Sequence, residues 1–185
     1  MNLDEYKLMT NAISTNPFGI PIAQTWNQLS TVFDDINRFE ITLFVELGVY
    51  LGGLSELLLM RQNFYPEFKY LGIEIAKSQI YGRMREHPQI HIGSSFDPAV
   101  KDMVSQRICN NVGTVMVYCD NGDKQREMIE YAPLLRKGDY LRSHDYPGET
   151  TPEHLVQFAI DFPYMKEIEI EKCHQLGFSL WRRME

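Results

Sequence analysis

The run Leu43-Phe44-Val45-Glu46-Leu47-Gly48-Val49-Tyr50-Leu51-Gly52-Gly53 decides how this chain is read. A short apolar run is the signature of a buried strand. This one closes on a carboxylate, Glu46, and glycines follow at 48, 52 and 53. A loop that only had to turn would need fewer of them. Glycine lets the backbone turn sharply out of a strand and lets a ligand approach the main chain. A helix opening near Leu54 would offer unpaired N–H groups and a positive dipole end at the same place. The spacing G-x-x-x-G-G differs from the G-x-G-x-x-G of pyrophosphate-binding loops. A carboxylate ahead of the first glycine would repel a diphosphate, whereas it suits a cation.

Upstream, Ile22, Trp26, Leu29, Val32, Phe33 and Ile36 recur at helical spacing, which predicts a leading helix within 21–37, from about Ala23 to Asn37. Residues 1–20 read as an arm over the surface. Downstream, strand and helix patterns alternate. LSELLLMRQ, SQIYGRMRE, DPAVKDMVSQRI, KQREMIEYAPLLRKG and TPEHLVQFAIDF read as helices, while KYLGIEI, QIHIG, GTVMVYCD and DYLRSHD read as strands. Asp97-Pro98 and Thr151-Pro152 supply cap and first-turn residues. KEIEIEKCHQ and GFSLWRRM read as two final strands joined at Gly177. Such alternation predicts an α/β fold with right-handed crossovers and a mostly parallel sheet between two helical layers.

The 185 residues suit a single domain able to bury its own core. A formal charge of -7 gives no electrostatic help toward nucleic acid or an anionic membrane, so a small molecule or protein is the expected partner. Cys109, Cys119 and Cys173 are odd in number and widely spaced, as for free thiols in a reducing compartment. With no apolar signal core and no membrane-length run, the expected location is cytoplasmic.

Ligands of open α/β sheets sit beyond the carboxyl ends of the strands. Those ends here are Glu46, Glu74, the stretch from Gly93 to Asp97, Asp120, and His144-Asp145. Solvated strand ends explain one or two polar residues but not the repeated carboxylates. Among nucleotide-like ligands, S-adenosylmethionine (SAM) carries an ammonium and a sulfonium and no phosphate.

The stretch resembles motif I of class I SAM-dependent methyltransferases. YLGIEI, IHIGSSFD, VMVYCDNGDK and APLLRKGDYLRSHD resemble their second to fifth strand regions in order. GIPIAQTWNQL, HPQIHIGSSFDPAV and YAPLLRKGDYL are most similar to the cephalosporin hydroxylase and rhamnosyl O-methyltransferase group, with a weaker likeness to catechol O-methyltransferases. The resemblance covers about Gly19 to Asp145. It implies a three-layer, Rossmann-like sandwich with a seven-stranded sheet, its last strand antiparallel through a hairpin at Cys173 to Phe178. It implies O-methylation of a small hydroxylated molecule such as a sugar, a catechol or a natural product. Glu46 would orient the methionine ammonium. Gly48, Gly52 and Gly53 would let the backbone close on it, with Tyr50 contributing main chain. Glu74 would take the ribose hydroxyls, and Ser95, Phe96 and Asp97 would lie along adenine.

Related enzymes often hold a divalent cation near the acceptor. Carried over, Asp120 matches the fourth-strand ligand, and His144 with Asp145 fall at the fifth-strand pair. Oxygen ligands suit Mg²⁺, while an imidazole tilts the set toward a transition metal. The chain departs from the family pattern: DNGDK replaces the usual His or His-x-Lys after the fourth-strand acid, and His-Asp replaces an acid pair. A metal-free route therefore stands beside the metal-assisted one. In it His144 is the general base oriented by Asp120, or Lys124 takes the proton if burial lowers its pKa.

His87, His91, His154 and His174 read as structural or surface residues, Tyr146 as packing, and Trp26 as core or helix-docking. The short chain has little beyond its cofactor core to cover an acceptor, which leans toward a homo-oligomer. Two alternatives stay open: a SAM-binding module without catalysis, and a nucleotide or NAD enzyme on a similar sheet.

Overall fold

The computed structural model describes residues 19–185. The expected arm over 1–20 therefore lies almost wholly outside the described residues. Helix α1 (Trp26–Arg38) opens where Thr25 accepts from the Gln28 N–H and the Gln28 side chain reaches back to the Thr25 N–H. That reciprocal cap sets the start, so the helix begins after Ala23. Its buried face carries Leu29, Val32 and Ile36, while Trp26, read as core or helix-docking, is half exposed at the first position.

Strand β1 (Ile41–Leu47) leads through the glycine loop into α2 (Gly53–Phe64). There follow β2 (Lys69–Glu74), β3 (Ile90–Ile92), α3 (Pro98–Asn110), β4 (Thr114–Cys119), α4 (Lys124–Tyr131), β5 (Tyr140–His144) and α5 (Pro152–Asp161). The chain ends with β6 (Met165–Glu167), α6 (Ile170–Gln175) and β7 (Phe178–Arg183). The seven strands form one sheet in the order β3-β2-β1-β4-β5-β7-β6. Neighbours among β1 to β5 are parallel; β7 runs antiparallel to both β5 and β6.

Three elements differ from the sequence reading. SQIYGRMRE is not a helix but two 3₁₀ turns, Lys77–Gln79 and Gly82–Glu86, which bury only Met84 within them. Gly82 between them has φ of 53°, outside helical geometry. The helix read through to Gly138 stops at Tyr131, because Pro133 allows only a 3₁₀ turn over Ala132–Leu134. KEIEIEKCHQ is a strand only to Glu167. Glu169 turns through φ of 53° into α6, which buries Cys173, so a short helix interrupts the expected hairpin. The alternating isoleucines mimic period two, but Ile170 is exposed, and the inward positions are Ile168, Cys173 and Leu176.

Strand parity divides the core. Phe44, Tyr70, Met116, Tyr118 and Tyr140 face one layer, where α1 and α2 pack. Leu43, Val45, Leu47, Ile73, Val117 and Leu141 face the other, under α3, α4 and α5. A fully buried ion pair between Asp35 and Arg142 ties α1 to β5, with the guanidinium 3.8 Å from the Phe178 ring centroid.

Gly48 is where the loops after β1 and β4 meet most closely. Its φ is 96°, and a Cβ there would lie 2.6 Å from the Asp120 carbonyl oxygen and 2.7 Å from the Asn121 nitrogen. Gly138 has a similar φ of 92° with open space around it. Gly138→Ala is expected to lose about 1 kcal/mol from backbone strain. Gly48→Ala adds a clash with rigid backbone and is expected to lose at least roughly 2 kcal/mol more. Urea unfolding of both variants measures the difference; equal losses would mean that the β1 and β4 loops do not touch.

Candidate functional site

Side-chain parity explains why polar groups from different strands meet. In parallel register Glu46 pairs with Gly72 and with Tyr118, and Tyr118 with Arg142. Two residues further along each strand come Gly48, Glu74, Asp120 and His144. Successive even positions share one face of a sheet, so these residues form a row on the α1 and α2 side. Gly48 leaves a gap in the middle of that row. The gap opens into a cavity of about 450 Å³ lined by Glu46, Gly48, Tyr50, Gly52, Gly53 and Glu74, with Asp120, Lys124, His144, Asp145 and Glu149 opposite.

Glu46 lies one pair deeper than the row and is 1% exposed. Its Oε2 accepts from Ser55 Oγ at 2.6 Å and from the Tyr70 hydroxyl. Gly72 makes the second bond possible, since a Cβ there would lie 2.4 Å from the Tyr70 oxygen. Burial pushes the Glu46 carboxyl up to about 8, against the lowering effect of its two hydrogen bonds, and nearby Asp120 and Glu74 push the same way as burial. Glu74 is held open by the backbone: Tyr50 N–H donates to Oε2 at 2.7 Å and Ala76 N–H to Oε1 at 3.0 Å. Tyr50, at φ of 51°, engages Glu74 through its main chain.

Gly52 and Gly53 serve the protein's own packing. A Cβ on Gly53 would lie 2.2 Å from the Pro21 carbonyl oxygen, and Gly52 starts α2 at φ of 91° against Met84. Gly53 allows the close approach of the segment before α1, and Gly52 that of the turns after β2.

On the opposite wall, Asp120 Oδ1 is 2.9 Å from His144 Nδ1, and Gln24 donates to Asp120 Oδ2 at 2.8 Å. Gln28 Nε2 lies 3.1 Å from His144 Nε2 and donates to the Leu176 carbonyl. Both imidazole nitrogens are therefore engaged, and His144 can receive a proton from outside only if one contact opens. Burial lowers the His144 pKa, but the charge and hydrogen bond of Asp120, with Asp145, outweigh it and raise the group overall.

Lys124 is buried with its ammonium 2.6 Å from Glu149, 3.0 Å from Asp145 and 3.9 Å from Asp120. Burial lowers its pKa, yet these carboxylates raise it above the ordinary value. The condition under which Lys124 would take a proton, a lowered pKa, is not met. Asp120 Oδ1, His144 and Asp145 present ligand atoms all within 4.8 Å of one another.

Three expected residues stand off the cavity wall. Ser95 is buried and donates to Glu127 Oε1 at 3.0 Å. Phe96 packs under the Arg126 guanidinium at 4.0 Å, and Asp97 caps α3 by accepting from Ala99 N–H at 2.8 Å. The other histidines are structural: His174 pairs with Glu167 and stacks on Tyr146, His154 sits against Thr151, and His87 accepts from Gln89 N–H. His91 is exposed on β3. Sequence reasoning missed Gln24, Gln28, Ser55, Tyr70 and Glu149. The Thr25-x-x-Gln28 cap was a readable signal for the helix start, but nothing local pointed Gln28 at His144.

Glu127, like Glu46, is raised to about 8 by burial. Between the ordinary carboxylate value and 8, the folded chain keeps these protons and the unfolded chain has released them. Stability therefore falls as pH rises from about 5 to 8, by roughly 1 kcal/mol per pH unit for each group. Glu46→Gln is expected to remove its share of that slope in urea titrations. An unchanged slope would mean that Glu46 is already ionised at pH 5.

No curated protein matches the sequence. The CmcI-N160 apo-structure is 18% identical with a TM-score of 0.67, covering 100% of this chain and 85% of that one. The cmcI-D160 structure with Mg and SAM is 19% identical with a TM-score of 0.67, covering 90% and 75%. The O-methyltransferase TomG from Streptomyces achromogenes, in complex with SAM, is 11% identical with a TM-score of 0.55, each chain covering the other over 100%. At these identities the likeness is one of fold. The model of the rhamnosyl O-methyltransferase/CmcI family matches residues 10–162, most of the sequence, and the chain belongs to that family.

Proposed function

We propose that this enzyme transfers the methyl group of SAM to a hydroxyl of a small molecule. The observation that carries the reading is one cavity walled by carboxylates from three parallel strand ends, Glu46, Glu74 and Asp120. Among the described lining residues, Lys124 is the lone side chain with a permanent positive charge. Such a wall suits a cationic, hydroxyl-bearing ligand and repels a diphosphate, which speaks against the NAD alternative. When bound, SAM supplies an electrophilic methyl on a positively charged sulfur.

The chain's own residues do the rest. Glu46 has Oε2 committed to Ser55 and Tyr70; a ligand ammonium would favour its ionised form, in which Oε1 is left to accept. Glu74, oriented by two backbone N–H groups, accepts from the ribose hydroxyls. Gly48 leaves the space between them. The Asp120–His144 pair would take the proton of the acceptor hydroxyl once Gln28 releases His144 Nε2, while Gln24 holds the far side of Asp120. Little covalent work falls to the protein; alignment and a preorganised field do most of it. Of the three residues expected along adenine, Ser95 stands behind the wall, bonded to Glu127 and Asn121.

A divalent cation fits the same place, held by Asp120, His144 and Asp145, and would lower the pKa of the acceptor hydroxyl. The Lys124 ammonium already sits against two of these groups, so ion and lysine compete for the same oxygens.

Calorimetry with S-adenosylhomocysteine (SAH) against NAD tests the cofactor: SAH is expected to bind and NAD not to. Glu74→Ala is expected to weaken SAH by about 1.5–3 kcal/mol through lost charged hydrogen bonds; unchanged affinity would put the ribose elsewhere. Mn²⁺ titration followed by electron paramagnetic resonance tests the ion. Lys124→Gln is expected to bind Mn²⁺ roughly tenfold more tightly than the wild type, and equal affinities would move the ion away from this wall. Asp120→Asn is expected to keep the fold by circular dichroism and lose Mn²⁺ binding.

A further inference from the structure

The first turn of α4 holds two buried charged side chains one turn apart. Lys124 points into the cavity; Glu127, fully buried, does not reach it. The mechanism above leaves Glu127 unused, yet its carboxyl joins two strand-end loops. Oε1 accepts from Ser95 Oγ at 3.0 Å, in the loop after β3. Oε2 accepts from Asn121 N–H at 3.3 Å, in the loop after β4. Asn121 is gripped from other sides too. Its Nδ2 donates to Ser95 Oγ at 3.3 Å, and its carbonyl accepts from Lys124 Nζ at 2.9 Å. Ser95 is in turn held through its carbonyl by the Tyr131 hydroxyl at 2.7 Å.

The bonded N–H belongs to the Asp120–Asn121 peptide. The same peptide abuts Gly48, where no Cβ fits. The segment that sets the direction of the Asp120 carboxylate is therefore wedged between a glycine and a buried acid. We propose that Glu127 is a positioning residue for the cofactor cavity, clamping the Asp120–Asn121 peptide against Gly48 and locking it to the β3 loop through Ser95. The clamp tolerates either protonation state. The ionised carboxylate accepts both bonds; the neutral acid donates to Ser95 Oγ and still accepts from Asn121. Glutamine reproduces the neutral form, and alanine leaves the half-buried Asn121 N–H without its partner.

The affinity part of the test rests on the cofactor reading; the backbone part does not. Amide hydrogen exchange is expected to show Asn121 protected in the wild type and in Glu127→Gln, and deprotected in Glu127→Ala. By calorimetry SAH is expected to bind Glu127→Ala about tenfold more weakly than wild type and Glu127→Gln within about twofold of it. Adding Ser95→Ala to Glu127→Ala is expected to cost nothing further, because both act through one clamp. SAH binding by Glu127→Ala equal to wild type, or by Glu127→Gln as weak as by Glu127→Ala, overturns the proposal. If wild type itself binds no SAH, the cofactor reading fails and Asn121 exchange alone decides the clamp. If Glu127→Ala does not fold, the decision falls to Glu127→Gln and Ser95→Ala. An Asn121 amide exposed in the glutamine variant, or unchanged by Ser95→Ala, then refutes the clamp.

Discussion

The site depends on the contact between Gly48 and the Asp120–Asn121 peptide. Two parallel strands end side by side, and their loops must leave the sheet in opposite directions. A side chain at position 48 would occupy the place of the Asp120 carbonyl. Its absence lets β1 and β4 stay in register to their ends, and that register brings Glu74, Asp120 and His144 into one row. The same missing side chain is the opening of the cavity. A glycine chosen by packing thus also makes room for a ligand, and no separate device for ligand approach is needed.

Charge then follows from burial. Five carboxylates around one cavity repel one another, and the protein meets this in three ways. Glu46 is buried deeply enough to favour its neutral form. Asp145 and Glu149 are matched by Lys124. Asp120 is surrounded by donors from Gln24 and His144. Each arrangement stores an acceptor that a cationic ligand can use. The Lys124 contact also shows how the DNGDK departure changes the family pattern: a side-chain cation stands against the oxygens that a metal would use. The segment around α1 matters as much as the strand ends, because two glutamines from it reach the Asp120–His144 wall of the cavity.

Much of the fold was legible. The alternation of apolar strands with capped helices specified a parallel α/β sheet, and the caps at Asp97 and Thr151 stand where their residue types put them. The failures were local. SQIYGRMRE has helical spacing but carries a glycine at positive φ, and the isoleucines of KEIEIEK have strand alternation but sit where the chain turns into α6. Periodicity reports a face; it does not report whether a face is available to receive it.

The site divides in the same manner. Glu46, Glu74, Asp120, Lys124, His144 and Asp145 were readable because strand ends in a parallel sheet share one edge, and all line one cavity. Ser95, Phe96 and Asp97 were placed by resemblance alone, and their contacts turn toward Glu127, Arg126 and α3 instead. Sequence by itself determined which residue types end the strands and that they end together, because period two and short loops are local properties of the chain. Only the tertiary structure decided which nitrogen of His144 faces Asp120, which acids share Lys124, and that Gln28 and Glu127 reach the site from helices. Those facts depend on the register and docking of segments more than 20 residues apart, except for Glu127, and no local pattern encodes such distances.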